Sequence, residues 1–348
     1  MQRLSANNKN EEGAVAVIVA ILLVFLLGFA ALAVDIGVIS SERAQLQNGA
    51  DAAAIALAQK CARDINDPLC SATSSLASSL ANSNALDGLS KVNDIQLDKT
   101  SGKVSVNTTA KEINGTDNSV SLFLASVLGF PTKQVSTRSN AVWGSPKAGR
   151  TAFPLAFSIC QVQGQVNGGL QLLQDHGSNA NPDCNYGPSG AAVDGGFGWL
   201  GQDAGQCGAT IDLAVSEGGS DTGNNAPSNC DSTLNGWGAD IKAGRKVVAL
   251  LPIFNAVTGT GSGAIYKLVA FAAFSVTGWS FTGNAGLPYE FQSGVSAATG
   301  VTAATACTGS CRGIIGQFIT YVSLADGYAL GPVDPYGQYG ASIARLTL

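Results

Sequence analysis

Residues 14–34 form a run of 21 positions without a charge. At ~1.5 Å per residue a helix of that length reaches ~31 Å, the thickness of a bilayer's hydrocarbon core. Beyond Asp35 the pattern changes rather than stops. Ile39, Leu46, Ala50, Ala53 and Leu57 recur at spacings of seven, four, three and four, the apolar stripe of an amphipathic helix. The two patterns together predict one helix from about residue 14 to about residue 61, ~70 Å long. Residues 71–84 are a Ser/Ala/Asn tract with Leu76 and Leu80, either a second short helix or a linker. Alternation then predicts half-buried strands at 92–97, 104–110 and 134–142, with Val104, Val106, Thr108 and Ala110 on one face. A helix is expected at 119–128, with Ser119 as N-cap and Gly129-Phe130-Pro131 as its stop. Trp143-Gly144-Ser145-Pro146-Lys147-Ala148-Gly149 reads as a linker. After it, apolar runs at 153–160, 247–254, 265–276, 314–324 and 342–346 predict strands separated by long Gly-rich loops. The run at 265–276 is too short to cross a membrane and holds Lys267, so it is expected as a buried strand.

Composition places most of the chain outside the cytoplasm. Charged residues make up 12% against a usual ~25%, and 43 glycines suit a loop-rich extracellular β protein. With a net charge of −5 and no Lys/Arg cluster, the chain offers no field for phosphates, and nucleic-acid binding is excluded. The eight cysteines, Cys61, Cys70, Cys160, Cys184, Cys207, Cys230, Cys307 and Cys311, all follow the apolar run, as an oxidising compartment beyond a membrane would produce. Disulfides are favoured over a metal site, because His176 is the one histidine and the cysteine spacing lacks zinc knuckles. Connectivity stays open, although proximity favours Cys61 with Cys70 and Cys307 with Cys311. Arg3 and Lys9 precede the span and Arg43 is the nearest cation after it, which puts the N-terminus in the cytoplasm. Ala31-Leu32-Ala33 has the form of a signal-peptide cleavage site, but the apolar run is longer than the ~7–15 residues of a secretory signal core.

Three blocks stand at fixed distance from one another: Gly13-Ala14-Val15-Ala16-Val17, then Gly28 through Ala33-Val34-Asp35, then a block of the form RxxLQxxADAAA beginning at Arg43 and carrying Leu46, Gln47, Ala50, Asp51 and Ala53. Over about fifty residues, 12–61, this resembles the TadG-like and TadE-like N-terminal segment of Flp (Tad-type) pilus-assembly proteins. The resemblance implies a minor pilin-like or accessory component of a pilus or secretion machine, with other membrane pilus-assembly or pilin proteins and the lipid bilayer as partners, and no catalysis. The small residues Gly28, Ala30, Ala31 and Ala33 suit close packing against other helices in lipid, and Ala52, Ala53, Ala54, Ala56 and Ala58 are candidates to continue it above the membrane. The same alanines are equally accounted for as good helix formers. A processed type IV pilin is cleaved after a glycine and carries a glutamate five residues later; Gly13 offers the glycine, but Ile18 stands at the fifth place.

Other motifs carry little chemistry. Gly196-Phe197-Gly198-Trp199-Leu200-Gly201 fits a dinucleotide pattern but lies in a polar loop, not between a strand and a helix. Asp117-Asn118-Ser119-Val120-Ser121 has the form of a von Willebrand A-type metal site, yet Asn114-Gly115-Thr116 precedes it where a buried strand is needed. Asp183, Asp194, Asp203, Asp212 and Asp221 are able to hold calcium outside the cell, but their spacing follows no ligand loop. No cofactor is expected. The expected fold is α+β: residues 1–13 cytoplasmic, 14–34 transmembrane, 35–62 a continuation of the helix, 63–146 a small α+β pilin-like domain, and 147–348 a mainly β, disulfide-bonded outer domain. The expected function is that of a single-pass, membrane-anchored, non-enzymatic pilus-assembly component. The alternatives are a processed minor pilin, or a surface-anchored hydrolase or binding protein built around His176.

Overall fold

The structure is a computed structural model that describes residues 11–113, 118–162, 165–166, 168–174, 197–215, 217–219, 226–259, 263–323, 329–331 and 341–347. Helix α1 (Glu11–Arg63) is continuous. Its apolar and amphipathic halves are joined without a break because no Pro interrupts them, and Gly28, Gly37 and Gly49 are each isolated. Helix α2 (Ser75–Ser83) returns along its upper half. A side chain at Gly49 would bring its Cβ within 3.1 Å of the Ala81 Cα, so the bare glycine lets the two helix backbones approach. The Cys61–Cys70 disulfide, with Cα atoms 5.0 Å apart, closes the turn after α1.

Strands β1 (Ser90–Asp98) and β2 (Lys103–Ala110) form an antiparallel hairpin. Gly102, at φ 64°, makes its turn in a place where a Cβ would strike the Trp143 carbonyl. Strand alternation is as expected on β2, where Val104, Val106, Thr108 and Ala110 are all buried. β3 (Ser119–Ser121) and β4 (Thr132–Gln134) pair as a two-stranded ribbon around a 3-10 turn (Ala125–Leu128), and β5 (Ser136–Arg150) follows.

The second half of the chain supplies β6 (Leu155–Ser158), α3 (Ile159–Val162), β7 (Gln171–Gln174), β8 (Phe197–Trp199), β9 (Thr210–Asp212) and β10 (Glu217–Gly219). Next come α4 (Asp231–Lys242), β11 (Val247–Thr258), β12 (Ile265–Ser280) and β13 (Glu290–Phe291). The last are β14 (Gly313–Ile319), β15 (Tyr321–Ser323), β16 (Ala329–Gly331) and β17 (Ser342–Thr347). One sheet has the order β1-β2-β5-β17-β15, with β16 and β9 also paired to β5. The other has the order β7-β14-β12-β11-β6-β8, with β10 and β13 paired to β12. The fold is thus α+β, a long apolar-to-amphipathic helix leading into a mostly β body.

Two cores result. The first sheet lays Val104, Val106, Ala141, Trp143 and Ala344 against Ala53, Ala54, Leu57, Ala58 and Cys61 of α1. The larger core is aromatic, with Phe153, Phe157, Phe254, Phe274, Trp279 and Phe318 fully buried. Its rings meet mostly edge-on or tilted, as in the T-shaped Phe157–Phe318 pair at 5.5 Å, with Phe153 and Phe281 stacked at 6.0 Å.

Three local expectations are corrected. The stretch 143–149 is no linker but part of β5: Trp143 is buried and paired with Ala344, and Gly144 is bare because β16 passes over it. The glycine that reads as a flexible joint is a close backbone contact. Residues 119–128 are not a helix, since Ser119 pairs with Gln134 and only Ala125–Leu128 turns. The Gly-rich stretch between the runs at 153–160 and 247–254 is not wholly loop, because its described residues contribute β7, β8, β9, β10 and α4.

Candidate functional site

Helix α1 is the feature with most to say about function, and it changes character at one residue. Every described side chain from Val15 to Val34 is exposed except Ala31, which is half-buried. The helix is long and apolar enough to cross a membrane. Asp35 ends that stretch and is 3% exposed. A carboxyl group so buried needs hydrogen-bond partners, and it has three. Its Oδ1 accepts the backbone N–H of Phe123 at 3.0 Å, its Oδ2 accepts those of Leu124 at 3.1 Å and Ala125 at 2.6 Å. These are the free N–H groups that open the 3-10 turn at Ala125–Leu128, so Asp35 caps from 88 residues away a turn that has no local cap.

Above Asp35 the motif residues face inward. Leu46 is buried with Ala110, Val120 and Val135, while its carbonyl accepts the Thr108 hydroxyl at 2.9 Å. Gln47 donates to Asp51 Oδ1 at 2.8 Å one turn on, and Arg43 is exposed. Ala50, Ala53, Ala54 and Ala58 are fully buried against the chain's own sheet and α2. The small residues of the upper half therefore serve packing within the chain. In the lower half, Gly28 has open space around it.

Cys61–Cys70, Cys207–Cys230 and Cys307–Cys311 are disulfides, and Cys160 is also disulfide-bonded. Cys184 lies outside the described residues, as do His176, Asp117, Asp183, Asp194 and Asp221. Asp203 and Asp212 are described but not brought together as ligands. Asp203 accepts the Thr210 hydroxyl at 2.7 Å and its N–H at 3.1 Å and faces Arg150, and Asp212 caps the N–H of Ala214 at 2.9 Å. The Thr210 hydrogen bonds, with Arg150 a lesser cause, hold the Asp203 carboxyl below its usual range. Among the described residues no group of three His, Cys, Asp or Glu side chains is placed to hold a metal ion. The dinucleotide-like glycines lie partly in β8, where Gly198 makes room for the Tyr266 ring.

Two open hollows lie among the described residues. One, of about 590 Å³, lies on the β1–β2–β5 sheet between Asp98, Lys103 and Asn140. The other, of about 630 Å³, lies beside β13 between Lys242 and Glu290. In the second, the Ser293 hydroxyl donates to Glu290 Oε1 at 3.0 Å.

The comparison with known families falls on this same helix. Residues 13–59 match the family model Tad, described as putative Flp pilus-assembly TadE/G-like. Comparison with curated proteins finds no match, and comparison with solved structures finds none. The exposed apolar helix, the buried aspartate at its end and the inward-facing upper half thus form a TadE/G-like segment, and the likeness ends four residues before α1 does.

Proposed function

We propose that this chain is a single-pass, non-enzymatic component of a Flp/Tad-type pilus-assembly or secretion machine, with its N-terminus in the cytoplasm and its β body outside. The observation that carries the reading is the division of α1 at Asp35 into an exposed apolar half and a half buried in its own domain. That is the arrangement of an anchor continuous with a folded body, whereas a cleaved leader has no reason to run without a break into a core helix. The TadE/G-like match over the same helix supports the pilus assignment, and the disulfides support an oxidising compartment for the body. Contacts with other membrane pilus proteins fall to the lower half, around Gly28, because the upper alanines are already occupied.

The test is intact mass, with and without reduction, of the protein extracted from its own membrane, together with protease treatment of sealed cells. The reading expects a mass that begins at Met1, a rise on reduction, and digestion of the β body from outside. A mass beginning at Ala14 would replace it with a processed pilin. One beginning near Val34 would remove the anchor, and free thiols throughout would reverse the topology.

A further inference from the structure

Asp35 tethers a loop whose surface has no partner among the described residues. Between β3 and β4, Phe123, Val127, Leu128 and Phe130 are 67% to 82% exposed, four large apolar side chains within eight residues. Soluble proteins seldom expose such a cluster without a use for it. The ribbon beneath is polar, with Ser121, Thr132, Lys133 and Gln134 exposed. The segment is apolar at its tip and polar at its base.

We infer that this loop is a second membrane contact, which lies in the interfacial layer of the bilayer beside the point where α1 emerges. The argument rests on the anchor reading above and follows from height. Residues 14–34 fill the hydrocarbon core, so the Asp35 carboxylate stands at its edge, and the hydrogen bonds to Phe123, Leu124 and Ala125 fix the loop at that level. Ala31, one turn or ~5.4 Å nearer the membrane on the same helix face, is half-buried, where the other described side chains from Val15 to Val34 are exposed. The loop's apolar surface thus stands at the level where the apolar half of α1 ends.

Its backbone also suits a poorly hydrated place, where an unmet N–H is expensive. Besides the three groups on Asp35, the N–H of Leu122 bonds to Pro131, Val127 to Leu124, Gly129 to Ser126 and Phe130 to Ala125. The Ser126 hydroxyl is turned in to the Phe123 carbonyl at 2.7 Å. Interfacial segments bury their apolar side by ~5–10 Å, a depth that Phe123 and Phe130 reach from this level. Two contacts would fix the tilt of the β body on the membrane, where a lone helix leaves it free to swing.

The experiment uses the full chain in vesicles of phosphatidylcholine brominated along its acyl chains, and reads quenching of tryptophan emission above that of the native protein. Four single variants are compared: Phe123→Trp and Phe130→Trp in the loop, Phe29→Trp in the span, and Leu86→Trp. Leu86 is equally exposed, but its N–H is bonded to Gln45, ten residues and ~15 Å above Asp35. The inference expects at least twofold quenching at Phe123→Trp and Phe130→Trp, stronger with bromine near the headgroup than deep in the chain. Phe29→Trp is quenched most by deep bromine, and Leu86→Trp not at all. Quenching at Phe29→Trp with none at either loop position overturns the inference, leaves the anchor standing and assigns the patch to a protein partner. No quenching at Phe29→Trp instead defeats the anchor, and the inference with it.

Discussion

Glu42 sits two turns above Asp35 on α1, and where Asp35 finds three donors, Glu42 finds two acids. Partial burial raises its pKa first, and the negative fields of Asp87 and Glu112 add to the rise. Glu112 cannot turn away, since its two oxygens hold the Ser121 N–H at 2.7 Å and hydroxyl at 2.6 Å. A carboxyl with a folded pKa above its unfolded value binds more protons in the folded state. Stability therefore falls as pH rises from about 4.5 through the raised value, and the cost persists at neutral pH. Glu42→Gln is expected to stabilise the body at pH 7 by no more than ~0.5 kcal/mol, because the site is partly solvated and screened. The gain should vanish at pH 4. Thermal melts of both forms at the two pH values check this, and an equal gain at pH 4 would show that repulsion is not its source.

Among the elements, the loop between β3 and β4 is tied to α1 by the Asp35 carboxylate. Removing the Asp35 carboxylate leaves three N–H groups beside a buried methyl, and charge-assisted hydrogen bonds are worth ~1.5–3 kcal/mol each at most when lost singly. Asp35→Ala should raise amide exchange in residues 122–130 at least tenfold, with β2 and β12 little changed; Asp35→Asn, which keeps one acceptor, should fall between. Unchanged exchange in the loop would mean that β3–β4 pairing alone fixes it. No local pattern in the sequence announces this tie, because its ends are 88 residues apart. Elements whose packing follows their own period were legible: α1 from its stripe, β2 from Val104, Val106, Thr108 and Ala110, and β11 and β12 from their apolar runs. Those misread were set by distant neighbours. Ser119 looks like a cap until Gln134 pairs with it, and Gly144 looks like a joint until β16 crosses it. Helix α4 was hidden by Gly236 and Gly238 in a Gly/Asn/Ser stretch, yet an added Cβ at Gly238 would lie 2.8 Å from Leu287, so the low propensity accompanies a close contact.

At the scale of the molecule, the question is whether the helix-bearing half and the aromatic half fold apart. β17 argues that they do not. Successive side chains of a strand point to opposite faces, and Ile343 enters the aromatic core while Ala344 packs with Trp143 against α1. The strand pairs with β5 from Ile343↔Gly144 to Thr347↔Asn140, and β5 in turn pairs with β2 on its other edge. The last described residues thus close both cores at once, and Cys61–Cys70 secures the end of α1 over one of them. Ile343→Ala removes side-chain volume from the aromatic core alone, at a cost of ~2–4 kcal/mol. If β17 couples the halves, native-state hydrogen exchange should report that loss equally in β12 and in β2, although Ile343 is not part of the α1-facing cluster. A drop confined to β12 would instead show two independently unfolding units and move the boundary into β5, with the helix-bearing half retaining its full protection. Equal loss would mean that α1, the loop tied to Asp35 and the β body unfold as one cooperative unit, joined through β17 and β5.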